Sequence, residues 1–156
     1  QDVALWNLEL SAVDRLIASA GGLAARLQRC ETLADLVAAL PAPRAIVLMI
    51  PAGAPVDQTI AALRPLLSAG DTIIDGGNSD FRDTMIRTTT LEKAGLSYLG
   101  IGVSGGAEGA RRGPSMMVGG TSSSYSRMRL FWRLLQRAMT GIPAWRIWDR
   151  MGLGIL

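Results

Sequence analysis

The chain has 156 residues, of which 49% are hydrophobic, and it carries a formal net charge of +3. This length and composition fit one globular domain that buries its own core, so bulk disorder is excluded. The sequence has no histidine and one cysteine, which excludes histidine-activated nucleophiles, zinc sites built from these residues and an internal disulfide.

The setting that these features favour is reducing and cytoplasmic. The longest apolar run, residues 45–56, is too short to span a bilayer, so we expect no membrane partner. Asp2, Glu9 and Asp14 lie where a signal peptide would have a basic leader and an apolar segment, so we expect no such peptide.

Charge is distributed unevenly along the chain. Residues 1–120 hold ten Arg or Lys and twelve Asp or Glu, whereas residues 121–156 hold six Arg, one Asp and three of the four tryptophans. The change predicts two regions, 1–120 and 121–156, that need separate interpretations. A basic tail with tryptophans is typical of nucleic-acid binding. We expect no nucleic-acid partner, because the possible codons of the tail indicate a frameshift, as described below.

In chain order, the hydrophobic pattern predicts alternating strands and helices. Strands are expected at 3–6, 45–50, 72–75, 96–103 and 115–118, and helices around 13–17 and over 31–40, 56–67 and 80–94. Residues 45–50 are almost wholly apolar, which favours a strand buried on both faces. Residues 104–113 are expected to form a glycine-rich loop. The alternation predicts an α/β domain with a parallel sheet covered on both faces.

Three stretches of small residues follow successive predicted strands: 51–53, 75–79 and 103–106. Ligands of open parallel sheets bind beyond the carboxyl ends of the strands. The amide of Asn78 offers both a donor and an acceptor, and Ser104 with the amides of Gly105 and Gly106 could cradle a carboxylate or hydroxyls. The alternative is that these are only turns, which their threefold recurrence at strand ends disfavours.

Other candidate residues carry weaker signals. Arg111 and Arg112 could bind phosphate, but a solvated surface pair is favoured. Cys30 is expected to be a packing residue, since no histidine is available to activate it. Glu108 could be catalytic or structural, and the sequence leaves both open.

Residues 3–120 resemble the N-terminal coenzyme-binding domain of the decarboxylating 6-phosphogluconate dehydrogenases. The strongest match is residues 73–120, which contain the Asp-Gly-Gly-Asn-Ser unit at 75–79 and the Ser-Gly-Gly loop at 104–106. The first unit separates this family from the related 3-hydroxyacid dehydrogenases, which usually have Ser-Thr there. Gly113-Pro114-Ser115 also favours the phosphogluconate enzymes.

The resemblance implies a Rossmann-like doubly wound parallel sheet lacking its first strand and glycine-rich turn, because the match begins after that unit. The missing strand would lie centrally in the sheet, so its neighbours are expected to have open edges, with marginal stability and association between chains. The family's catalytic lysine and glutamate lie on a helix beyond the coenzyme domain, so no catalytic residue is expected in this chain. No metal ligand is expected either, because the sequence has no histidine and one cysteine.

The resemblance also implies binding residues. NADP would contact Asn7, Leu8, Glu9, Ile50, Pro51, Ala52 and Asn78, and 6-phosphogluconate would contact Asn78, Ser104, Gly105 and Gly106. Leu8 stands where the family has the arginine that holds the 2′-phosphate of NADP, and Glu9 adds a negative charge there. Pro51 stands where the family has a lysine. These departures predict little preference for NADP over NAD.

The tail has an explanation in the possible codons. Reading them two bases later gives residues that resemble the family again: Met139-Thr140 becomes Asp, while Trp148-Asp149 and Met151-Gly152 each become Gly. We therefore hypothesise a frameshift near residues 121–126, which would account for the unusual charge and tryptophan content. Residues 121–156 are then expected to pack poorly, with truncation after Gly120 leaving stability unchanged. An unrelated true tail is the alternative.

The function implied is that of an oxidoreductase of the pentose phosphate pathway and gluconate metabolism. The family oxidises and decarboxylates 6-phosphogluconate to ribulose 5-phosphate with NADP and is typically homodimeric. This fragment alone is expected to be inactive. The alternatives are a non-catalytic module that binds a nucleotide or sugar acid, and a non-functional gene remnant.

Overall fold

A computed structural model describes residues 2–112, 114–129, 131–132, 145–148 and 154–155. The strands are β1 (Val3–Leu5), β2 (Leu27–Arg29), β3 (Ala45–Leu48), β4 (Thr72–Asp75), β5 (Ser97–Ser104), β6 (Ser115–Gly120), β7 (Trp145–Trp148) and β8 (Gly154–Ile155). The helices are α1 (Leu10–Ser19), α2 (Leu33–Ala38), α3 (Ala54–Leu63), α4 (Phe81–Glu92), α5 (Gly106–Arg112) and α6 (Ser122–Arg127), with a 3₁₀ helix at Gly21–Arg26.

The strands form two separate sheets. One contains β1 and β2, which pair in parallel. The other has the order β3-β4-β5-β6-β7-β8, in which β3, β4 and β5 are parallel and β6 is antiparallel to β5. The alternation of strands and helices therefore produces the predicted α/β architecture with a largely parallel arrangement.

The separation of the sheets confirms the predicted open edges. Neither β1 nor β3 pairs with the other, so each is an edge strand of its sheet. A shared core nevertheless connects them, because Ala4 of β1 and Trp6, directly after β1, pack against the buried cluster that contains Ile46, Leu48 and Tyr98. Burial of apolar surface thus connects the sheets where main-chain pairing does not.

The strand predicted to be buried on both faces is only partly so. Ile46 and Leu48 of β3 are buried, but Val47 is 45% exposed and Met49, directly after the strand, is 68% exposed. Such an apolar run normally signals a strand covered on both sides. The prediction is wrong for Val47, whose side of this edge strand is partly open to solvent.

Two further predictions are corrected. Strand β2 was not expected, because its sequence Leu-Gln-Arg is short and its side chains are half-buried or exposed. The expected loop at 104–113 contains α5 over Gly106–Arg112, whose alanine, glutamate and arginines favour a helix despite two glycines. The remaining predicted elements are present, with bounds shifted by a few residues.

The region that begins at Thr121 packs more closely than the frameshift hypothesis predicts. Thr121 caps α6 by accepting from Ser124 N, and Ser124, Met128 and Trp132 are buried. Met128 and Trp132 join a second core cluster that includes Leu99 of β5. The expectation of poor packing is therefore wrong for 121–129 and 131–132, because large apolar side chains recur there at helical spacing.

Helix α4 connects the end of β4 to the start of β5 and carries an unusual buried face. It begins after Asp80, whose side chain accepts from Arg82 N, and Gly95 adopts a φ of 76° just beyond it. Its buried residues include Thr84, Arg87 and Thr88. Within the described residues, no helix combines the length and apolarity needed to cross a membrane.

Candidate functional site

The loops after β3 and β4 are in direct contact. Gly76 N donates to Leu48 O at 2.8 Å, which extends the pairing of the two strands by one residue. A Cβ added at Gly77 would collide with the carbonyl oxygen of Ile50. Only glycine therefore allows the two loops to approach this closely.

Asn78 connects the loop after β4 to the end of β5. Its side-chain Oδ1 accepts from Val103 N at 2.6 Å, and its backbone has a φ of 57°. Asparagine is one of the few residues other than glycine that adopt this left-handed conformation readily. The residue is exposed, and by amide chemistry its two Nδ2 hydrogens remain donors while Oδ1 is engaged.

Asp75 is the buried centre of the loop after β4. It is fully buried, and its Oδ2 accepts from Ser79 Oγ and Tyr98 OH, both at 2.6 Å. Its Oδ1 accepts from Gly77 N at 2.9 Å. A buried carboxylate with several donors is satisfied and rigid, so Asp75 fixes the backbone that presents Asn78.

Arg87 of α4 connects this centre to the loop after β3. Its Nη1 donates to Ser79 Oγ at 3.1 Å and to Asp75 Oδ2 at 3.4 Å, while Nη2 donates to Gly53 O at 3.3 Å. Its Nε donates to Asp57 Oδ1 at 2.8 Å. Arg87 is only 6% exposed, and Asp83 Oδ2 also lies 3.9 Å from its Nη2, so its buried charge is compensated by these protein groups.

The ionisation states of this network follow from its geometry. The hydrogen bond to Asp57 raises the pKa of Arg87 above its ordinary value, against the opposing effect of burial. The same bond lowers the pKa of Asp57. Burial raises the pKa of Tyr98, and its bond to Asp75 raises it further, so its hydroxyl stays protonated and donates.

The third predicted loop lies at the end of β5 and start of α5. Ser104, Gly105 and Gly106 are exposed, and the two glycines have φ values of 126° and 55°. A Cβ added at Gly105 would lie 2.9 Å from Gly109 Cα, so the first turn of α5 requires glycine there. Glu108 is also exposed, and no observation assigns it a catalytic role.

The residues after β1 are exposed and arranged around a carboxylate. Asn7 Oδ1 accepts from Glu9 N at 2.8 Å, and Glu9 Oε1 accepts from Ser11 Oγ at 2.6 Å and Arg15 Nη2 at 3.2 Å. The bond from Ser11, which has the larger effect, and the bond from Arg15 lower the pKa of Glu9. Leu8 is 91% exposed and contributes no charge. Arg15 partly offsets the negative charge that the sequence analysis assigns to Glu9.

The structure therefore brings together some predicted residues and adds others. Ile50 contacts Gly77, the neighbour of Asn78, whereas Asn7, Leu8 and Glu9 follow a strand of the separate smaller sheet. Three contributors were missed in the sequence: Arg87, Asp57 and Tyr98. No sequence pattern marked them, since each is distant in the chain from the loop that it supports.

The weaker candidates are now placed. Cys30 is 2% exposed and belongs to the first core cluster, which confirms its packing role, and burial raises the pKa of its thiol. The side chains of Arg111 and Arg112 lie outside the described part. Among the described residues, no group of three or more cysteines, aspartates or glutamates could hold a metal ion.

Comparison with known families identifies a matching domain. The family described as the NAD binding domain of 6-phosphogluconate dehydrogenase matches residues 1–139. The match includes residues 121–139, which lie beyond the boundary that the sequence analysis places at Gly120.

Curated relatives carry the same enzyme name. A decarboxylating 6-phosphogluconate dehydrogenase of Treponema pallidum is 42% identical over 142 residues, which is 90% of this chain and 29% of that protein. A Bacillus subtilis relative named as an NAD(+)-dependent decarboxylating 6-phosphogluconate dehydrogenase is 44% identical over 127 residues, covering 81% of this chain and 27% of that protein. The chain thus spans less than a third of the length of these relatives.

Solved structures show the same fold. The 6-phosphogluconate dehydrogenase of Plasmodium falciparum, described with its cofactor NADP+ and its substrate 6-phosphogluconate, superposes with a TM-score of 0.80 at 27% identity. The superposition covers 92% of this chain and 30% of that one. An imine reductase of Streptomyces aurantiacus, at 18% identity and a TM-score of 0.70, shares the fold; it covers 94% of this chain and 47% of that one.

Proposed function

The chain belongs to the family of the NAD binding domain of 6-phosphogluconate dehydrogenase, and from that premise we propose that it binds a nicotinamide dinucleotide and a sugar acid at the carboxyl ends of β3, β4 and β5. The observation that carries the proposal is the bond from Val103 N to Asn78 Oδ1, which joins the loop after β4 to the carboxyl end of β5. Ligands of open parallel sheets bind beyond the carboxyl ends of the strands.

Asn78 is proposed to contact both ligands. Its exposed amide is held by Val103 at the oxygen, so its nitrogen can donate to a nicotinamide carbonyl or to a hydroxyl of the sugar acid. Ile50, Pro51 and Ala52 form the neighbouring wall, of which Pro51 and Ala52 are exposed. Pro51 and Ala52 present an uncharged, exposed surface on which a planar ring can pack, so this end fits a nicotinamide.

The residues after β1 fit an adenosine ribose better than its 2′-phosphate. Leu8 supplies no charge, and the nearby guanidinium of Arg15 is already engaged with Glu9. By the resemblance, β1 corresponds to the second strand of a complete Rossmann fold. A carboxylate after that strand usually accepts from the ribose hydroxyls, whereas an arginine there suits a phosphate. We therefore propose that Asn7, Leu8 and Glu9 give no marked selectivity for NADP over NAD.

The sugar-acid end is proposed to involve Ser104, Gly105 and Gly106. These residues are exposed at the end of β5, the strand that also carries Val103. A serine hydroxyl with successive glycine amides suits a carboxylate or vicinal hydroxyls. The relatives are named 6-phosphogluconate dehydrogenases, so we propose 6-phosphogluconate as the sugar acid.

When bound, the oxidised nicotinamide supplies the hydride acceptor for alcohol oxidation. The residues of this chain bind and orient both ligands. In the family that the chain resembles, the general base and acid are a lysine and a glutamate on a helix outside the coenzyme-binding domain. We therefore propose that the chain contributes the coenzyme half of the reaction and does not turn over 6-phosphogluconate by itself.

Calorimetric titration of the purified chain with NADP, NAD and 6-phosphogluconate tests this function. We expect weak binding of both coenzymes and no production of NADPH. Gly77→Ala should abolish coenzyme binding, because its Cβ would displace the Ile50 loop. Gly22→Ala is the matched control, since an added Cβ there meets nothing within 4 Å. Absence of any dinucleotide binding by the unmodified chain, or turnover in preparations free of host enzyme, would contradict the proposal.

A further inference from the structure

Arg87 is a buried cation on α4 that donates hydrogen bonds to the loops forming the candidate site. Its three guanidinium nitrogens reach three separate segments: Asp57 on α3, Gly53 in the loop after β3, and the Asp75–Ser79 loop after β4. A structural ion pair needs only one carboxylate. This fork instead joins the two loops that the proposed function assigns to the coenzyme.

We propose that Arg87 is a positioning residue that holds the loops after β3 and β4 at the separation that the coenzyme requires. The inference rests on the proposed function. It extends that function by assigning loop spacing to a residue on α4, whose side chain is 6% exposed and so lies behind the binding surface rather than on it.

Each hydrogen bond of Arg87 has a distinct consequence for the loops. The Nη2 bond to Gly53 O fixes a glycine whose φ of 86° turns the chain from the β3 loop into α3. The Nη1 bonds to Ser79 Oγ and Asp75 Oδ2 fix both ends of the loop that contains Asn78. The Nε bond to Asp57, which is 62% exposed at its side chain, orients the guanidinium plane.

Lysine cannot replace this arrangement. An ammonium is a point donor on a flexible stem, whereas guanidinium presents its donors in a fixed planar fork. Arg87→Lys therefore preserves the buried positive charge opposite Asp75 while losing the simultaneous contacts to Gly53 and Ser79. This variant separates charge balance from loop spacing.

The chain offers a matched control at the opposite ends of the same strands. Arg44 precedes β3 and Asp71 precedes β4, and Arg44 Nη1 donates to Asp71 Oδ2 at 3.0 Å. Asp71 is buried at 1% exposure, and the side chain of Arg44 is 19% exposed. Arg44→Lys perturbs a comparable arginine-aspartate pair that touches neither loop.

The experiment compares Arg87→Lys with Arg44→Lys in two measurements. Titration with NADP and with NAD, below the melting temperature of both variants, should show affinity weakened roughly tenfold in Arg87→Lys and unchanged in Arg44→Lys. Hydrogen exchange should show lost protection at the amides of Gly76 and Gly77 in Arg87→Lys alone. Both amides are hydrogen-bonded in the structure, to Leu48 O and Asp75 Oδ1.

The two measurements separate failure of this inference from failure of the proposed function. If the unmodified chain binds no coenzyme, the proposed function fails, and the exchange measurement alone decides whether Arg87 positions the loops. Equal effects of the two substitutions on exchange, or an Arg87→Lys variant that keeps both its protection and its affinity, would overturn the inference. Loss confined to Arg87→Lys supports it even where the two melting temperatures fall equally.

Discussion

The backbone amide of Val103 donates to the side-chain oxygen of Asn78 across 2.6 Å and 25 positions of sequence. The bond engages the only acceptor of that side chain and leaves its amide nitrogen as donor. Asn78 also has a φ of 57°, and the bond holds its exposed side chain in one orientation. Of the donor and the acceptor that an asparagine side chain offers, the acceptor is therefore engaged within the protein, and the donor stays available at the site.

Asn78→Asp tests whether the donor matters. Aspartate retains an oxygen for Val103 N and tolerates the left-handed backbone, but it has no hydrogen to donate and adds a charge. We expect coenzyme affinity to fall roughly tenfold or more, with little change in melting temperature. Calorimetry and thermal unfolding measure the two effects. Unchanged affinity would remove Asn78 from the binding surface.

Coenzyme selectivity is predicted to respond to Leu8. Leu8→Arg supplies a guanidinium at the exposed position after β1 and should strengthen NADP binding roughly tenfold while leaving NAD binding nearly unchanged. Leu23→Arg is the matched control, because Leu23 is 63% exposed and lies in the 3₁₀ helix that precedes β2. Equal gains in the two variants would indicate nonspecific attraction between charges.

The residues that the sequence identified share one property: they belong to local patterns. The apolar run at β3, the glycines of the β4 loop and the spacing of α4 could each be interpreted within about ten residues of sequence. Arg87 could not, because its partners Asp57 and Asp75 are separated from it by 30 and 12 positions. Only the packing of α3 and α4 on the sheet brings these charges together.

Stability is predicted to fall in acid because of Asp71. Burial raises the pKa of this carboxyl, but hydrogen bonds from Arg44 N, Ser68 N and the Arg44 guanidinium outweigh it and lower the pKa below its ordinary value. A lowered pKa in the folded state gives stability that is present above the unfolded value of about 3.9 and is lost as the pH falls through the folded value. Urea unfolding between pH 7 and pH 3 measures this loss.

Asp71→Asn provides the comparison for the acid limb. The variant should lose about 3 kcal/mol of unfolding free energy at neutral pH, because it leaves Arg44 without its carboxylate. It should also show a flatter decline below about pH 4, since one titrating group is removed. A decline as steep as that of the unmodified chain would assign the acid sensitivity to other carboxyls, such as Asp57.

The open edge of β3 is predicted to promote association between chains. Val47 lies on this edge strand and is 45% exposed, a combination that favours pairing with another chain. Val47→Lys should therefore reduce association measured by light scattering over a concentration series. Met117→Lys is the control, because Met117 is 40% exposed on β6, which has partners on both sides. Equal effects would point to general charge repulsion.

The origin of the tail stays a prediction that sequencing of the gene tests. A frameshift near residues 121–126 requires the downstream bases, when read two positions later, to encode residues like those of the relatives. An intact register related to another protein would contradict it. The burial of Met128 and Trp132 bears on packing alone, because any frame that encodes spaced apolar residues can form an amphipathic helix.

The contribution of the tail to stability is predicted to reside in Trp132. Its ring stacks on Tyr125 with centroids 5.5 Å apart, its Nε1 donates to Tyr125 O at 3.2 Å, and it is 4% exposed in the second core cluster. Trp132→Ala should lower the free energy of unfolding by about 3–5 kcal/mol. Arg129→Ala, at an exposed position of the same segment, should change it by less than about 0.5 kcal/mol.

Truncation after Gly120 should consequently destabilise the chain at least as much as Trp132→Ala. The frameshift hypothesis predicts instead that this truncation leaves stability unchanged. The truncation also removes Met128 from the core and leaves Leu99 partly uncovered, so apolar surface returns to water on β5. Urea unfolding of the truncated chain, the Trp132→Ala variant and the unmodified chain measures this order. A truncated chain as stable as the unmodified one would show that the buried ring of Trp132 contributes nothing to the free energy of unfolding.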